Sequence, residues 1–444
     1  MDTHAIMRER AGGRESGAIL AIVLVIMVLV GLLSAGLLRL GAAAGFETGR
    51  SAANLKAFWA AEAGVEHARS ILMKRRRPAN QIFYGGQPML GSNRVSGTTM
   101  QGNYSVDVVD DPAWTNSAHA LKKYIIRSRG TSGPFTQVVT LRAEVLNYAS
   151  FMHASNFERN SSGLIYFGPA DVIDGMVYVN DRLNLLGVLP RFLAQVRSTS
   201  NSVNYASGAN AAAFEGGLTL NAPPLDISGQ FTSDPVQDIK ADADAAGLSI
   251  TGDYEFMFFS DGSFRYRPYG GGVTNFGTLA SLNGAIYVNG NVWVDGAVKG
   301  EVTIAAQNSI FITNHIVYAT ATNPSPWSAG FNPYAVTDKL GLIASNQVRI
   351  VTTNTVNIHS AIFVSADGGG FNAQSYNVVI GNPTPQINLF GSLTQYRRGV
   401  VGQSGTPQRG FAKNYKYDVR YLNDAPPGYP YSLYVFSAWR QGGG

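Results

Sequence analysis

The chain has 444 residues with no cysteine, 14% charged residues and 50 glycines. Without cysteine no disulfide can support the fold, so stability must come from a large apolar core, which this length allows. The formal charge of +5 is small for the length, comes partly from N-terminal basic runs, and excludes a nucleic-acid protein recognised by charge.

The first element is apolar. Ala18 to Leu38 carry no charge, and at about 1.5 Å per residue a helix of that length crosses a hydrocarbon core of about 30 Å. Arg8, Arg10 and Arg14 precede it, and Arg39 and Arg50 follow. This modest bias predicts a single-pass segment with its N-terminus in the cytoplasm and the rest in a bacterial periplasm or beyond. Three readings compete: a secretory signal cleaved near Ala42-Ala43-Ala44, an uncleaved anchor, and a basic leader (1–17) removed after Gly17 so that the chain begins at Ala18. The apolar stretch is longer than a usual signal core, and Arg39 interrupts the approach to the alanines.

The following residues favour the third reading. Ala52, Leu55, Ala57, Ala61, Val65, Ala68 and Leu72 recur at helical spacing, and no proline occurs from Met1 to Arg77. One helix is expected to run from about 18 to 77, closed by Lys74, Arg75, Arg76 and Arg77 before Pro78. Gly41, Gly45, Gly49, Ala53 and Ala57 form a row of small residues at intervals of four. Such a row lets another helix approach closely, or seats the helix on its own domain.

The segment Ser16-Gly17-Ala18-Ile19-Leu20-Ala21-Ile22, with Ala57-Phe58-Trp59-Ala60-Ala61-Glu62-Ala63-Gly64-Val65-Glu66 behind it, resembles the N-terminus of PilX-like minor pilins and type II secretion pseudopilins. The resemblance covers residues 14–70. It implies leader cleavage at Gly17/Ala18 by a prepilin peptidase, an inner-membrane location or a fibre at the cell surface, and partnership with other pilin-like subunits and the pilus assembly machinery. Major pilins carry a glutamate at the fifth mature position. Here that position is Ile22, which argues against a bulk fibre subunit and for a minor one.

Residues 78–147 read as a small β region packed on the helix, with strands at Asn103–Val109, Lys123–Gly130 and Gln137–Val145. From 148 to 400 many short strands are expected. Ile286, Val288, Val292, Val294, Val298, Val302, Ile304, Ile310, Ile312 and Ile316 share one parity, with Asn289, Asp295, Lys299, Glu301 and Thr303 on the other. A repeat starting at Glu301 aligns with one starting at Gln347, placing Asn308 on Asn354 and Val348, Ile350, Val356 and Ile358 inward. The expected architecture is therefore a long N-terminal helix followed by an all-β passenger, a right-handed parallel β-helix, with a β-sandwich as the alternative. Residues 319–340 would form a lateral loop. A hairpin at 254–267 would turn at Asp261-Gly262 in type I′ form, and 401–444 would be a C-terminal tail.

The passenger also resembles a poorly characterised family fused behind pilin-like helices. The likeness rests on Ile165-Tyr166-Phe167, Asp171-Val172-Ile173-Asp174-Gly175, Asn180-Asp181 with Leu183, Leu185 and Gly187, Leu340 to Ala344, Phe390 to Leu393, and the tail from Gly410 to Asp418 with Pro426-Pro427-Gly428-Tyr429-Pro430. It implies an architecture more than an activity. Val419 and Tyr178 stand where that family usually has proline and histidine.

Motifs for chemistry are sparse. His4, His67, His119, His153, His315 and His359 show no metal-ligand spacing, and there is no phosphate loop or nucleophile elbow. Asp171, Asp174 and Asp181 would suit a calcium turn or, more ordinarily, turn caps. Asp295 and Glu301, with Lys299 nearby, are the carboxylates a polysaccharide lyase or hydrolase on this scaffold would need. Tyr287 and Trp293, read as exposed, would suit a carbohydrate-binding adhesin. The expectation is a structural protein with no catalytic, cofactor-binding or metal-binding residues: a minor subunit of a type IV pilus or related secretion fibre. Adhesin and β-helix enzyme are the alternatives.

Overall fold

The computed structural model describes residues 12–74, 83–84, 87–88, 91–111, 123–160, 163–169, 171–186, 190–206, 214–225, 227, 234–321, 325–403, 405, 407–422 and 424–443. Arg8, Arg10, Arg75 to Pro78, His4, His119 and Gly187 lie outside the described residues.

Helix α1 runs unbroken over Gly12–Lys74, as a stretch without proline permits. Its C-terminal third buries Ala57, Ala60, Ala61, Val65, Ala68 and Ile71. The partner is an antiparallel sheet whose inner face presents Val95, Val106, Val108, Tyr124, Ile126, Val139 and Leu141. Small residues bring helix and sheet together. A Cβ at Gly130 would strike the Ala57 carbonyl oxygen, and one at Gly64 would strike the Ser128 hydroxyl.

Four strands of this sheet follow in order: Gly91–Thr99, Gly102–Asp110, Lys123–Ser132 and Phe135–Asn147. The fifth is Tyr431–Gly443, which pairs antiparallel with Phe135–Asn147 through Tyr434↔Val145 and Phe436↔Ala143. Residues 148–430 are thus inserted between two neighbouring strands of one small sheet. They leave and return at one point, where Tyr148 N–H donates to the Pro430 carbonyl at 3.3 Å. The stretch 401–444, expected as a tail, instead supplies this last strand and a ladder strand at Ala412–Tyr417.

The inserted region is a large all-β body of parallel ladders. One row stacks Leu248–Thr251, Ala285–Asn289, Glu301–Ala306, Lys339–Ala344 and the second halves of Val356–Val364 and Gln386–Arg397. It continues through His153–Phe157, Val177–Val179, Val196–Ser198 and Leu218–Thr219. A second row stacks the first halves of Val356–Val364 and Gln386–Arg397, then Ala412–Tyr417, Val172–Asp174 and Arg191–Phe192. A third stacks Tyr254–Phe258, Val292–Val298, Ser309–Tyr318, Gln347–Ile350 and Gly370–Ala373. The order in space is not the order in sequence. The early strands sit beyond the late ones, joined where Ala154 pairs with Thr394 and Val172 with Asn414.

The period-two residues all face the core: Ile286, Val288, Val302, Ile304, Ile310, Ile312, Val348, Ile350, Val356 and Ile358 are fully buried. Three details differ from expectation. The repeat keeps parity but not register, since Glu301 pairs with Lys339 and Ser309 with Gln347, so Asn308 lies beside Asn346 rather than Asn354. Thr303 is buried, because Gly341 leaves room beside it and its hydroxyl donates to the Pro427 carbonyl at 2.5 Å. The 254–267 hairpin also pairs with Val292–Val298, and only Gly262 of its turn has positive φ, at 92°. That is a turn closed by a left-handed glycine rather than type I′, which needs two such residues.

Helix α2, Pro235–Ala246, lies against Ala285–Asn289 and Glu301–Ala306. Asp234 caps it through the Val236 N–H, and Pro235 opens its first turn, a strong start signal.

Candidate functional site

The exposed part of α1 is the first candidate surface. Its most apolar 18-residue window has a mean hydropathy of 3.1 and none of it is buried. Gly17 and Ala18 lie exposed near the start of the helix, with open space around Gly17. The row of small residues divides. Gly41, Gly45 and Gly49 meet nothing, Ala53 is half-buried, and Ala57 is buried. Ala57 therefore seats the helix on its own sheet, which corrects its place in a row for neighbouring helices. Beyond the row, Phe46, Leu55 and Trp59 are exposed large apolar side chains. Ile22, at the fifth position from Ala18, is exposed as well.

The second candidate is a buried charge cluster where the early strands meet the late ones. Glu158 is fully buried; it accepts from Arg398 Nη1 at 2.5 Å, from the Ser155 hydroxyl, and pairs with His153 Nε2 at 3.1 Å. Burial raises the Glu158 carboxyl, but Arg398 and the His153 and Ser155 hydrogen bonds outweigh it and hold it at about 2. Burial lowers His153 despite Glu158, so the ring is neutral at pH 7. Lys413 Nζ donates to Asp171 at 2.6 Å, and burial lowers its pKa. The Arg398 guanidinium lies 3.6 Å from the centre of the Phe167 ring. His153, Glu158, Phe167 and Asp171 lie in or beside the early strands, and Arg398 and Lys413 in or beside the late ones. The cluster joins segments 240 residues apart, and in such a buried pair the loss of one member leaves its partner's charge uncompensated.

A third cluster surrounds Arg420. It pairs with Asp418 at 2.6 Å and donates to the Val336 and Asp338 carbonyls at 2.6 and 3.0 Å. Burial, then Arg420, lowers the nearby His359 to about 3. The ring's Nδ1 accepts from the Tyr318 N–H at 3.1 Å. These side chains bind the 319–338 loop to the body.

The carboxylates singled out for chemistry are engaged elsewhere. Asp295 accepts from Thr313 at 2.9 Å, and Glu301 pairs with Lys339 at 2.8 Å. Asp171 also takes the Gly168 N–H, while Asp181 takes the Glu158 N–H and pairs with Arg159. Among the described residues no group of three His, Asp or Glu side chains converges. Tyr287 is buried rather than exposed: α2 covers it, with Lys240 over its ring and its hydroxyl donating to Gln307 at 3.2 Å. Trp293 is half-buried between Tyr269 and Phe311. The pair Tyr287 and Trp293 therefore offers no sugar platform.

No family model matches the chain, and no curated protein matches it. Among solved structures it is similar to the competence-associated pilin ComZ from Thermus thermophilus. The TM-score is 0.31 and the identity 12%, over 87% of this chain and 97% of that one. So low a score carries no argument about fold or function.

Proposed function

We propose that the chain is a membrane-anchored, pilin-like structural protein, a minor subunit of a type IV pilus or related secretion fibre, that displays a right-handed parallel β-helix. The observation that carries this is the continuity of α1: one helix of 63 residues is bare and apolar at one end and seated on a small antiparallel sheet at the other. An isolated anchor has no need of a rigid extension of that length; a helix that packs among neighbouring helices does. The β-helix reading is supported by three rows of parallel ladders with one inward parity, where a sandwich would use antiparallel ones. Right-handedness follows from the general rule for parallel crossovers.

In this reading residues 1–17 are the leader, 18–77 the anchor and extended helix, and 148–430 the displayed body. A prepilin peptidase cleaves between Gly17 and Ala18, the body stands outside the inner membrane, and α1 meets other pilin-like subunits through Gly41, Gly45, Gly49 and the exposed apolar side chains near them. Mass spectrometry of the protein from membranes tests the class. An N-terminus at Ala18 supports it; one at Gly45, or an intact Met1, rejects it.

A further inference from the structure

One outward row crosses five stacked strands. Glu255, Trp293, Phe311, Arg349 and Asn372 occupy successive register positions, a span of about 19 Å at the usual strand spacing. Two depressions open along it, of about 490 Å³ beside Trp293 and about 560 Å³ beside Arg349, and Gln374 lines both. They adjoin at Gln374, one lined by aromatic and the other by polar side chains, and together they are termed the groove.

At the aromatic end Tyr269 stacks on Trp293 with ring centres 3.6 Å apart and remains 53% exposed. At the polar end Arg349 Nε donates to Asn372 at 2.9 Å, and Asn372 Nδ2 donates to Gln347 at 2.9 Å. The charges decide what fits. Four arginines face three carboxylates. Arg267 pairs with Glu255 and Arg397 with Asp367, while Asp295 is held by Thr313. Among the described residues Arg265 and Arg349, one in each half of the groove, have no carboxylate partner.

We propose that this groove binds an extended acidic polysaccharide. Arg265 and Arg349 receive sugar carboxylates, the side-chain amides of Gln347 and Gln374 bond to hydroxyls, Asn372 holds Arg349 and Gln347 in place, and the exposed face of Tyr269 stacks on a sugar ring. An excess of one positive charge is too small for a nucleic-acid backbone, whose affinity comes from many phosphate contacts. A polypeptide adding to a sheet needs a free strand edge, and the groove floor is a sheet face whose backbone is committed to its ladders. A neutral glycan would leave both guanidiniums unanswered.

The test uses the full chain in detergent with fluorescein-labelled alginate in calcium-free buffer; dextran of equal length and a 24-residue deoxythymidine strand are the comparators. Alginate is expected to bind at least tenfold more tightly than either. Arg265→Ala and Arg349→Ala should each weaken alginate binding about tenfold, the loss of one charge-assisted contact, with circular dichroism unchanged. Arg197→Ala, on a different row, should bind like the wild type. Alginate binding no better than dextran overturns the acidic assignment, and equal competition by deoxythymidine overturns the glycan assignment. If both arginine variants fold and bind normally, the groove is not the site.

Discussion

Replacing Glu158 with glutamine tests whether the buried charges set the seam between early and late strands. The native carboxyl sits at about 2 against its ordinary 4.5, a difference equivalent to about 3 kcal/mol at neutral pH. Removing one partner of a buried pair leaves the other uncompensated and typically costs about 3–5 kcal/mol. The two routes agree, and Arg398 is the charge left behind. Because the folded pKa is depressed, this stability is present above about 4.5 and is lost as pH falls through 2. His153 adds to the acid sensitivity with the same sign, since it is held neutral in the fold and gains a proton on opening below its ordinary value of 6.5. Hydrogen exchange of the intact protein in detergent is the assay, because a chain this large is not expected to unfold as one unit. Glu158→Gln should lower the opening free energy of amides in 153–157 and 392–397 by about 3 kcal/mol at pH 7, with little change in 301–306. It should also flatten their pH dependence between 4.5 and 2. Unchanged protection at the seam, or equal loss throughout the body, would refute the reasoning.

Three further outcomes are expected. Ile304→Ala or Ile350→Ala should cost about 2–5 kcal/mol as core truncations, Thr303→Ala about 1 because it removes the hydrogen bond to the half-buried Pro427, and Lys299→Ala under about 0.5; hydrogen exchange at 301–306 that ranks Lys299 above Ile304 would contradict the inward parity. Gly17→Leu should block removal of the leader while leaving the protein in the membrane, read as a heavier band on gels. Gly45→Leu should leave processing and the folded body intact but lower recovery of the protein in crosslinks to other pilin-like subunits. If the wild type crosslinks to no such subunit in cells that make fibres, the assembly reading fails.

The parts legible in the sequence are those governed by neighbours in the chain. The proline-free run shows in advance a helix that extends unbroken to Lys74, and the alternation from Ile286 to Ile316 marks the buried side chains. Thr303 shows where parity stops: its face is outward by count, yet Pro427, 124 residues on, covers it. Tyr287 fails for the same reason, although here a signal was available, since Asp234-Pro235 announces α2 and a helix must lie on something. Ala57 belongs to a row of small residues that any close neighbour would explain, and spacing cannot choose between a foreign helix and the helix's own sheet. The repeat misleads about register because a period-two pattern reads the same after any even shift, so Glu301 can face Lys339 rather than Gln347 with the same side chains inward. Strand pairing by Tyr431–Gly443 has no local signature at all.

That last pairing explains the unusual order of the ladders. A body inserted between two adjacent strands must begin and end at one place, and closing a loop of that length in an unfolded chain is entropically costly. A β-helix wound strictly in sequence order would put its ends at opposite poles. Here the early strands run outward from the seam, the chain crosses to the far pole near residue 248, and the late strands wind back until Thr394 meets Ala154 and Asn414 meets Val172. Both ends then emerge beside each other at Tyr148 and Pro430. The buried pairs Glu158–Arg398 and Asp171–Lys413 hold the two contacts that bring the ends together. The fifth strand of the small sheet begins one residue after Pro430, so the seam that the buried pairs span and the sheet on which the helix sits are joined at one point of the chain.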